Sequence, residues 1–268
     1  MLEALTTIAK DNWQWRKQIW RLALFELRKQ TKGSALGWFW IFGRYFILIF
    51  AYWFALEVGL RAGRDLDGPF LIWLLSGLIP WFFMRTMISA GSGVLNKFSF
   101  LVQKIKFPIS GISTLFSVSS VLIHLGLVGL LLIIGIPFSG TISIYLLQVP
   151  LIILLMLFFF TVFSVLTSQI SAISKDFALL LKSFATPLFW FSGVIFNVKG
   201  LGIAWLETML LFNPITFFCS SFRAAFFYQT WFWEDLPALG GMAIVFVGTF
   251  VLMVFIYSRL HEVVADGL

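Results

Sequence analysis

Residues 107–174 form a run of 68 without a single Lys, Arg, Asp or Glu. A folded surface in water needs charged side chains at short intervals, so such a run has no place on a soluble domain. A bilayer accepts it, because a helix needs about 20 mostly apolar residues to cross roughly 30 Å of hydrocarbon. The run is too long for one crossing and fits two, broken at Ile136-Pro137-Phe138-Ser139-Gly140, where Pro and Gly mark a turn. Composition agrees: 60% of the 268 residues are hydrophobic and 12% charged, where soluble domains carry about a quarter charged. The mean hydropathy is +0.97. These values exclude a soluble enzyme, a disordered linker and a nucleic-acid-binding domain. The net charge of +7 does not restore the last, because the basic residues are not gathered on a folded polar surface. Cys219, the single cysteine, cannot form an internal disulfide, so it does not report the redox compartment.

The same length rule predicts an all-α integral membrane protein with six spans, near 35–60, 69–95, 107–136, 143–172, 177–197 and 236–257. Thirteen Lys and Arg fall on the side holding the N-terminus, the loops at 96–108 and near Lys175, and the C-terminus. Four (Arg61, Arg64, Lys199 and Arg223) fall on the other. This bias places both termini in the cytoplasm.

The first 34 residues lack the short apolar core and small-residue cleavage site of a signal peptide. At 100° per residue, Gln14, Lys17, Gln18, Arg21, Arg28 and Lys29 share one arc. Trp15, Ile19, Trp20, Leu22, Ala23 and Leu27 fill the opposite arc, and Arg16, Phe25 and Glu26 are misfits. Such a helix lies in the membrane interface, either as an anchor alone or with its polar face on a cytoplasmic partner; the sequence leaves both open.

Two further segments depart from a plain bundle. The loop at 96–108 mixes Lys97, Lys104 and Lys106 with Phe98, Phe100, Leu101, Val102, Ile105 and Phe107, and ends at Pro108. This suits a short surface helix offering apolar knobs to a partner; packing on the membrane surface beneath snorkelling lysines is the alternative. The outer stretch at 198–237 is too apolar for a water-exposed loop. Residues 201–212 and 215–228 both read as helices, but reach only about 18 and 21 Å, too short to cross. Asn213-Pro214 separates them. The expectation is a re-entrant hairpin acting as an outer gate, against two interfacial helices of structural role.

Arg44 and Arg85 fall in the cytoplasmic halves of the first two spans. Ionisable residues at that depth are functional candidates: they line a loading site for an anionic substrate, or snorkel to inner headgroups. Arg223 is a candidate for holding a phosphate on the outer side, or again a headgroup. His124 reads as a hydrogen-bonded packing residue. Trp38-Phe39-Trp40, Trp81-Phe82-Phe83 and Trp231-Phe232-Trp233 lie close to expected span ends, where interfacial belts explain most of them; aromatics facing an internal conduit, suited to the apolar faces of sugars, are the alternative. No HExxH, CxxC, intramembrane carboxylate pair or GxxxxGK[ST] loop occurs, so no catalytic or metal site is expected and any ATP use falls to another subunit.

The order of these features resembles a known family. A basic interface helix runs into Leu36-Gly37-Trp38-Phe39-Trp40, and Asn96 and Lys104-Ile105-Lys106-Phe107-Pro108 follow. Lys175-Asp176, Thr186-Pro187, Asn213-Pro214 and Phe222-Arg223 complete the series. This is similar to the permease subunit of type-2 ABC exporters of lipid-linked polysaccharides, O-antigens and teichoic acids. Gly59-Leu60-Arg61-Ala62-Gly63, Gly68-Pro69-Phe70 and Trp81-Phe82-Phe83 are closest to the teichoic-acid branch. The resemblance implies a homodimer in the bacterial cytoplasmic membrane on two cytoplasmic ATPase subunits, which use ATP and Mg while this chain binds no cofactor. It implies a coupling helix at 96–108, a conduit bounded by spans one and five of opposite protomers, and an undecaprenyl-diphosphate-linked polymer as substrate. The connection from Arg61 to Gly68, with Arg64, Asp65 and Asp67, is too short for an added outer domain. Efflux of small molecules on the same architecture, and a membrane enzyme acting on lipid-linked sugars, are the competing functions. A proton-coupled transporter fits less well, for want of intramembrane acids.

Overall fold

The computed structural model describes residues 2–33, 36–64, 66–139, 143–198 and 202–267, without the side chains of Leu2, Phe138, Ser139 and Asp266. Asp65, Lys199, Gly140 and the starts of the stretches expected from Ala35 and Leu201 lie outside it. The described chain is all helix and turn. Helices α1 (Leu2–Gln14) and α2 (Arg16–Thr31) precede α3 (Phe39–Trp53), which runs on as a π-helical turn to Gly59. Next come α4 (Phe70–Ser89), the short α5 (Val94–Lys97) and α6 (Ser99–Ile105), and α7 (Ile109–Ser139). A 3-10 turn leads into α8 (Val149–Ile173), followed by α9 (Lys175–Phe191), α10 (Ala204–Leu211), α11 (Pro214–Arg223, continued as a π turn to Tyr228) and α12 (Leu236–Gly267).

Five of these segments have full membrane length and apolarity: Phe39–Gly59, Phe70–Ser89, Ile109–Pro137, Ile144–Ile173 and Leu236–Ala265. The chain is a multi-pass membrane protein. The expectation of six spans therefore meets five long helices. In the place of the fifth stands α9, whose 17 residues reach about 26 Å. It stops at Phe191 rather than near Asn197, because Gly193 turns the chain with φ of +65°.

The spans differ in how they are covered. Over its most apolar stretch α4 is 83% buried, whereas α3 is 17% and α12 22% buried. The reason is legible in α4 itself, which has apolar side chains on all sides and so no face suited to a boundary. Trp81, Phe82 and Phe83 are consequently core residues rather than an interfacial belt, meeting Phe189, Tyr45 and Phe160. Trp38, Phe39 and Trp40 remain exposed. A smaller cluster joins Ala4 of α1 to Val162, Val165 and Leu166 of α8 and to Met253, Val254 and Tyr257 of α12.

The end of the bundle at which α4 begins is held by side chains bonding irregular backbone. Asn213 caps α11 through Ile215 N–H at 2.9 Å, and Pro214 occupies the first helical position. The Asn-Pro pair thus starts a helix as well as ending one, and α10 and α11 meet at a 93° bend. From α11, Thr216 Oγ1 donates to the Ser192 carbonyl at 3.0 Å, and Asn213 Nδ2 to Ser192 Oγ at 2.8 Å. The Arg223 guanidinium lies 3.7 Å over the Trp73 ring and donates to the carbonyls of Gly193 (2.7 Å), Val194 and Trp73 (3.4 Å). Gln148 bridges Thr230 and Phe232 in the same manner.

This places Arg223 differently from its expected role. It is 4% exposed with its donors turned inward onto three backbone carbonyls, so it is a clamp between α4, α11 and the turn after α9 rather than a headgroup contact. Lysine cannot reproduce its planar fork. Arg223→Lys should destabilise the protein by about 3 kcal/mol, since buried carbonyls lose their donors, read as a lowered melting temperature in detergent. At Gly77 an added Cβ would stand 2.5 Å from the Val194 carbonyl and 2.6 Å from Arg223 Nη2. Gly77→Ala should therefore destabilise by about 1–3 kcal/mol; an unchanged melting temperature would show that the clamp yields freely.

Candidate functional site

The residues expected on the cytoplasmic side gather around α2 and the α5–α6 segment. Helix α2 buries Ile19, Ala23, Glu26 and Leu27 and leaves Lys17, Arg21, Arg28 and Lys29 exposed. The arc read from sequence is present, with two changes. Trp20 is half exposed, and Glu26, a misfit on the apolar arc, is the residue that explains the contact. Its carboxylate, 8% exposed, pairs with Lys97 Nζ at 2.6 Å. Lys97 closes α5 and also lies over the rings of Phe98 (4.9 Å) and Phe116 (5.6 Å).

The loop at 96–108 divides into an anchored and an exposed side. Phe98, Leu101 and Phe107 are buried, Phe107 against Trp15 at 5.0 Å. Asn96 Nδ2 donates to the Ser171 carbonyl at the end of α8, and Ser164 Oγ to the Gly91 carbonyl just ahead of α5. Phe98 and Phe107 are therefore anchors and not knobs presented outward, because the bundle beneath them offers the apolar partners. Phe100 (46% exposed), Ile105 (53%), Lys104 and Lys106 form the exposed side, with Pro108 half buried behind them. Helix α6 ends in a left-handed Lys106 at φ of +53°: Lys106 N–H returns to Val102 O and Phe107 N–H to Leu101 O. This closure is ordinarily made by glycine. Keeping a lysine there costs about 1 kcal/mol of backbone strain, which points to use of the side chain.

Arg44 and Arg85 are brought together. Both line a chamber of about 400 Å³ between α2, α3, α4 and α7, to which Lys97, Gln30, Tyr45 and His124 also contribute. Its lining holds three cationic side chains and no carboxylate. Among the described residues neither Arg44 nor Arg85 pairs with an acid, and the Arg44 guanidinium lies over the Tyr45 ring at 5.0 Å. His124 packs between Phe83 (5.6 Å) and Phe222 (5.7 Å) and is 1% exposed. His124 is the packing residue read from the sequence, with its ring set against the Ile79 backbone of α4 as hydrogen-bond partner.

Asn213 and Pro214 do not line this chamber and are tied to the Ser192 turn. Arg223 joins neither group. Sequence reasoning missed Glu26 and Lys97 as a pair; the one signal was a carboxylate on the apolar arc of α2 combined with a lysine in a surface loop. Among the described residues no group of three or more His, Cys, Asp or Glu could hold a metal ion.

The chain is 21% identical over 240 residues, 89% of its length and 91% of the relative's, to the O-antigen export system permease protein RfbA of Myxococcus xanthus. Residues 17–227 match the ABC-2 type transporter family. That stretch contains nearly all of α2, the α5–α6 segment, the chamber and the bent pair α10–α11. It is most of the chain, and this protein accordingly belongs to the ABC-2 type transporter family, as a membrane transport subunit.

Proposed function

We propose that this chain is the permease of an ATP-driven exporter that moves a lipid-linked surface polymer from the inner to the outer side of the cytoplasmic membrane. Two copies would form the pathway, and two separate cytoplasmic ATPase subunits would supply the energy. The observation that carries the reading is the two-sided α5–α6 segment. Its buried side is bonded to α2 and α8, and its exposed side presents Phe100, Lys104, Ile105 and Lys106. A segment held rigidly on one side and offering aromatic, aliphatic and basic groups on the other transmits movement between a soluble partner and the bundle. The name of the Myxococcus relative, an O-antigen export permease, supports a polymer as cargo. The 59–63, 68–70 and 81–83 stretches favour a teichoic acid within that class.

The remaining topology follows from this reading. The lysine and arginine bias sets both termini in the cytoplasm. Helix α9 counts as a sixth, short crossing, and the bent pair α10–α11 dips in from outside as a gate. Its backbone at that depth is covered by protein, as Arg223, Thr216 and Asn213 bond the turn beside it.

Charge reversal at Lys104 and Lys106 should lower co-purification of the ATPase and its stimulation by at least about tenfold, the loss of roughly 1.4 kcal/mol of contact. Lys106→Gly separates shape from charge: it relieves about 1 kcal/mol of left-handed strain, so its melting temperature should hold or rise while coupling falls. Phe107→Ala should instead destabilise by about 3 kcal/mol as a core truncation. Normal ATPase association and normal polymer export in the Lys104 and Lys106 variants would sink the coupling assignment. On depletion of the chain, lipid-linked polymer should accumulate inside cells; normal surface polymer with altered drug sensitivity would favour small-molecule efflux.

A further inference from the structure

We propose that the chamber lined by Arg44, Arg85, Lys97 and His124 binds the diphosphate of a polyprenyl-linked substrate, and that Lys97 exchanges Glu26 for that diphosphate when the chamber fills. The proposal rests on the export reading above and deepens it, naming the residues that take the headgroup and the contact through which its arrival is felt.

The chamber has the size of a ligand site, about 400 Å³. It concentrates three cations with no acid in its lining, and among the described residues Arg44 and Arg85 have no ion-pair partner. Two arginines that only snorkelled to bulk headgroups would need no walls. Here the walls extend from Gln30 at the end of α2 up to His124 on α7. A diphosphate matches this set, since guanidinium forks bind its oxygens bidentately.

Lys97 belongs to two arrangements at once. It lines the chamber, and in the structure its ammonium rests on Glu26 of α2. With its side chain 46% exposed it is free to swing, whereas the Glu26 carboxylate at 8% is not. A diphosphate beside Arg44 and Arg85 competes for the same ammonium. If Lys97 moves, Glu26 is left as a buried unpaired charge, a state that is strongly unfavourable and is relieved by α2 parting from α5. Because α5 leads directly into α6, occupancy of the chamber shifts the segment assigned to the ATPase. The coupling is reciprocal: loosening the Lys97–Glu26 pair favours the ligand.

This gives a prediction of sign that a structural ion pair would not share. The full-length protein, in nanodiscs of zwitterionic lipid, is titrated with undecaprenyl diphosphate. Arg44→Gln with Arg85→Gln should weaken binding by about tenfold or more. Lys97→Met should weaken it several-fold, Lys97→Arg should retain it, and Glu26→Gln should strengthen it, because the competitor for Lys97 is gone. All variants are compared at matched melting temperature and monodispersity. The Arg→Lys pair at 44 and 85, which keeps the charge, should bind at intermediate strength and covers the case in which the Gln pair fails to fold. Unchanged or weakened binding in Glu26→Gln would overturn the exchange. Wild-type affinity in the arginine variants would overturn the site. Inorganic diphosphate binding as tightly as the lipid would mark a free-anion site, and equal competition by phosphatidylglycerol would mark bulk headgroup contact; either overturns the lipid-linked substrate. Failure of the export reading looks different, since cells lacking the chain would then display normal surface polymer whatever the chamber binds.

Discussion

Backbone carbonyls that leave a helix inside an apolar protein must find donors, and in this molecule α11 supplies them. Where α9 stops at Phe191, the carbonyls of Ser192, Gly193 and Val194 are met by Thr216 and Arg223. Without those donors the turn would expose polar groups in a setting that offers no water, at a cost of several kcal/mol. The Arg223 guanidinium also reaches the Trp73 carbonyl and stacks on its ring, so the same group fixes α11 against α4. Since α4 is the buried axis, this one side chain orients the end of the bundle at which α4 begins. Gly77 is small for the same reason: the guanidinium passes where its side chain would be.

The two ends of α4 then carry different work. At its first end, Trp73 and Gly77 receive α11, and the bent pair α10–α11 is seated on a bonded turn. At its last end, Arg85 faces the chamber, and the chain passes through Gly91 into α5 and α6, which α8 and α2 hold by Ser164, Ser171 and Glu26. The helices at the rim, α3 and α12, bury little of their own surface. A buried axis with lightly packed rim helices suits a membrane subunit whose remaining apolar faces meet lipid.

Much of this was legible in the chain. The 68-residue uncharged run, the basic arc of α2, the mixed loop at 96–108 and the Asn213-Pro214 break each follow from local rules of length, period or proline chemistry. Arg44 and Arg85 could be named as candidates because a charge at membrane depth is rare. Their meeting in one chamber could not, since they are about forty residues apart on different helices and periodicity carries no information on which helices adjoin. The same holds for Glu26 and Lys97. Phe98 and Phe107 illustrate the opposite error, being apolar residues in a loop whose destination, outward or inward, depends on what lies beneath. Trp81–Phe83 was misread as a belt because α4, uniformly apolar, looks like any lipid-facing span until its neighbours are in place.

By itself the sequence determined that the chain lives in a bilayer, that it crosses several times and that its basic loops gather on one side. Those properties are sums over neighbouring residues, which hydrocarbon thickness and charge solvation read directly. Only the tertiary structure decided which arginine clamps the fold and which two face an open chamber, and that a carboxylate on an apolar arc has a lysine waiting for it. Those outcomes depend on contacts between residues distant in the chain, where burial and the need to satisfy each polar group choose the partner.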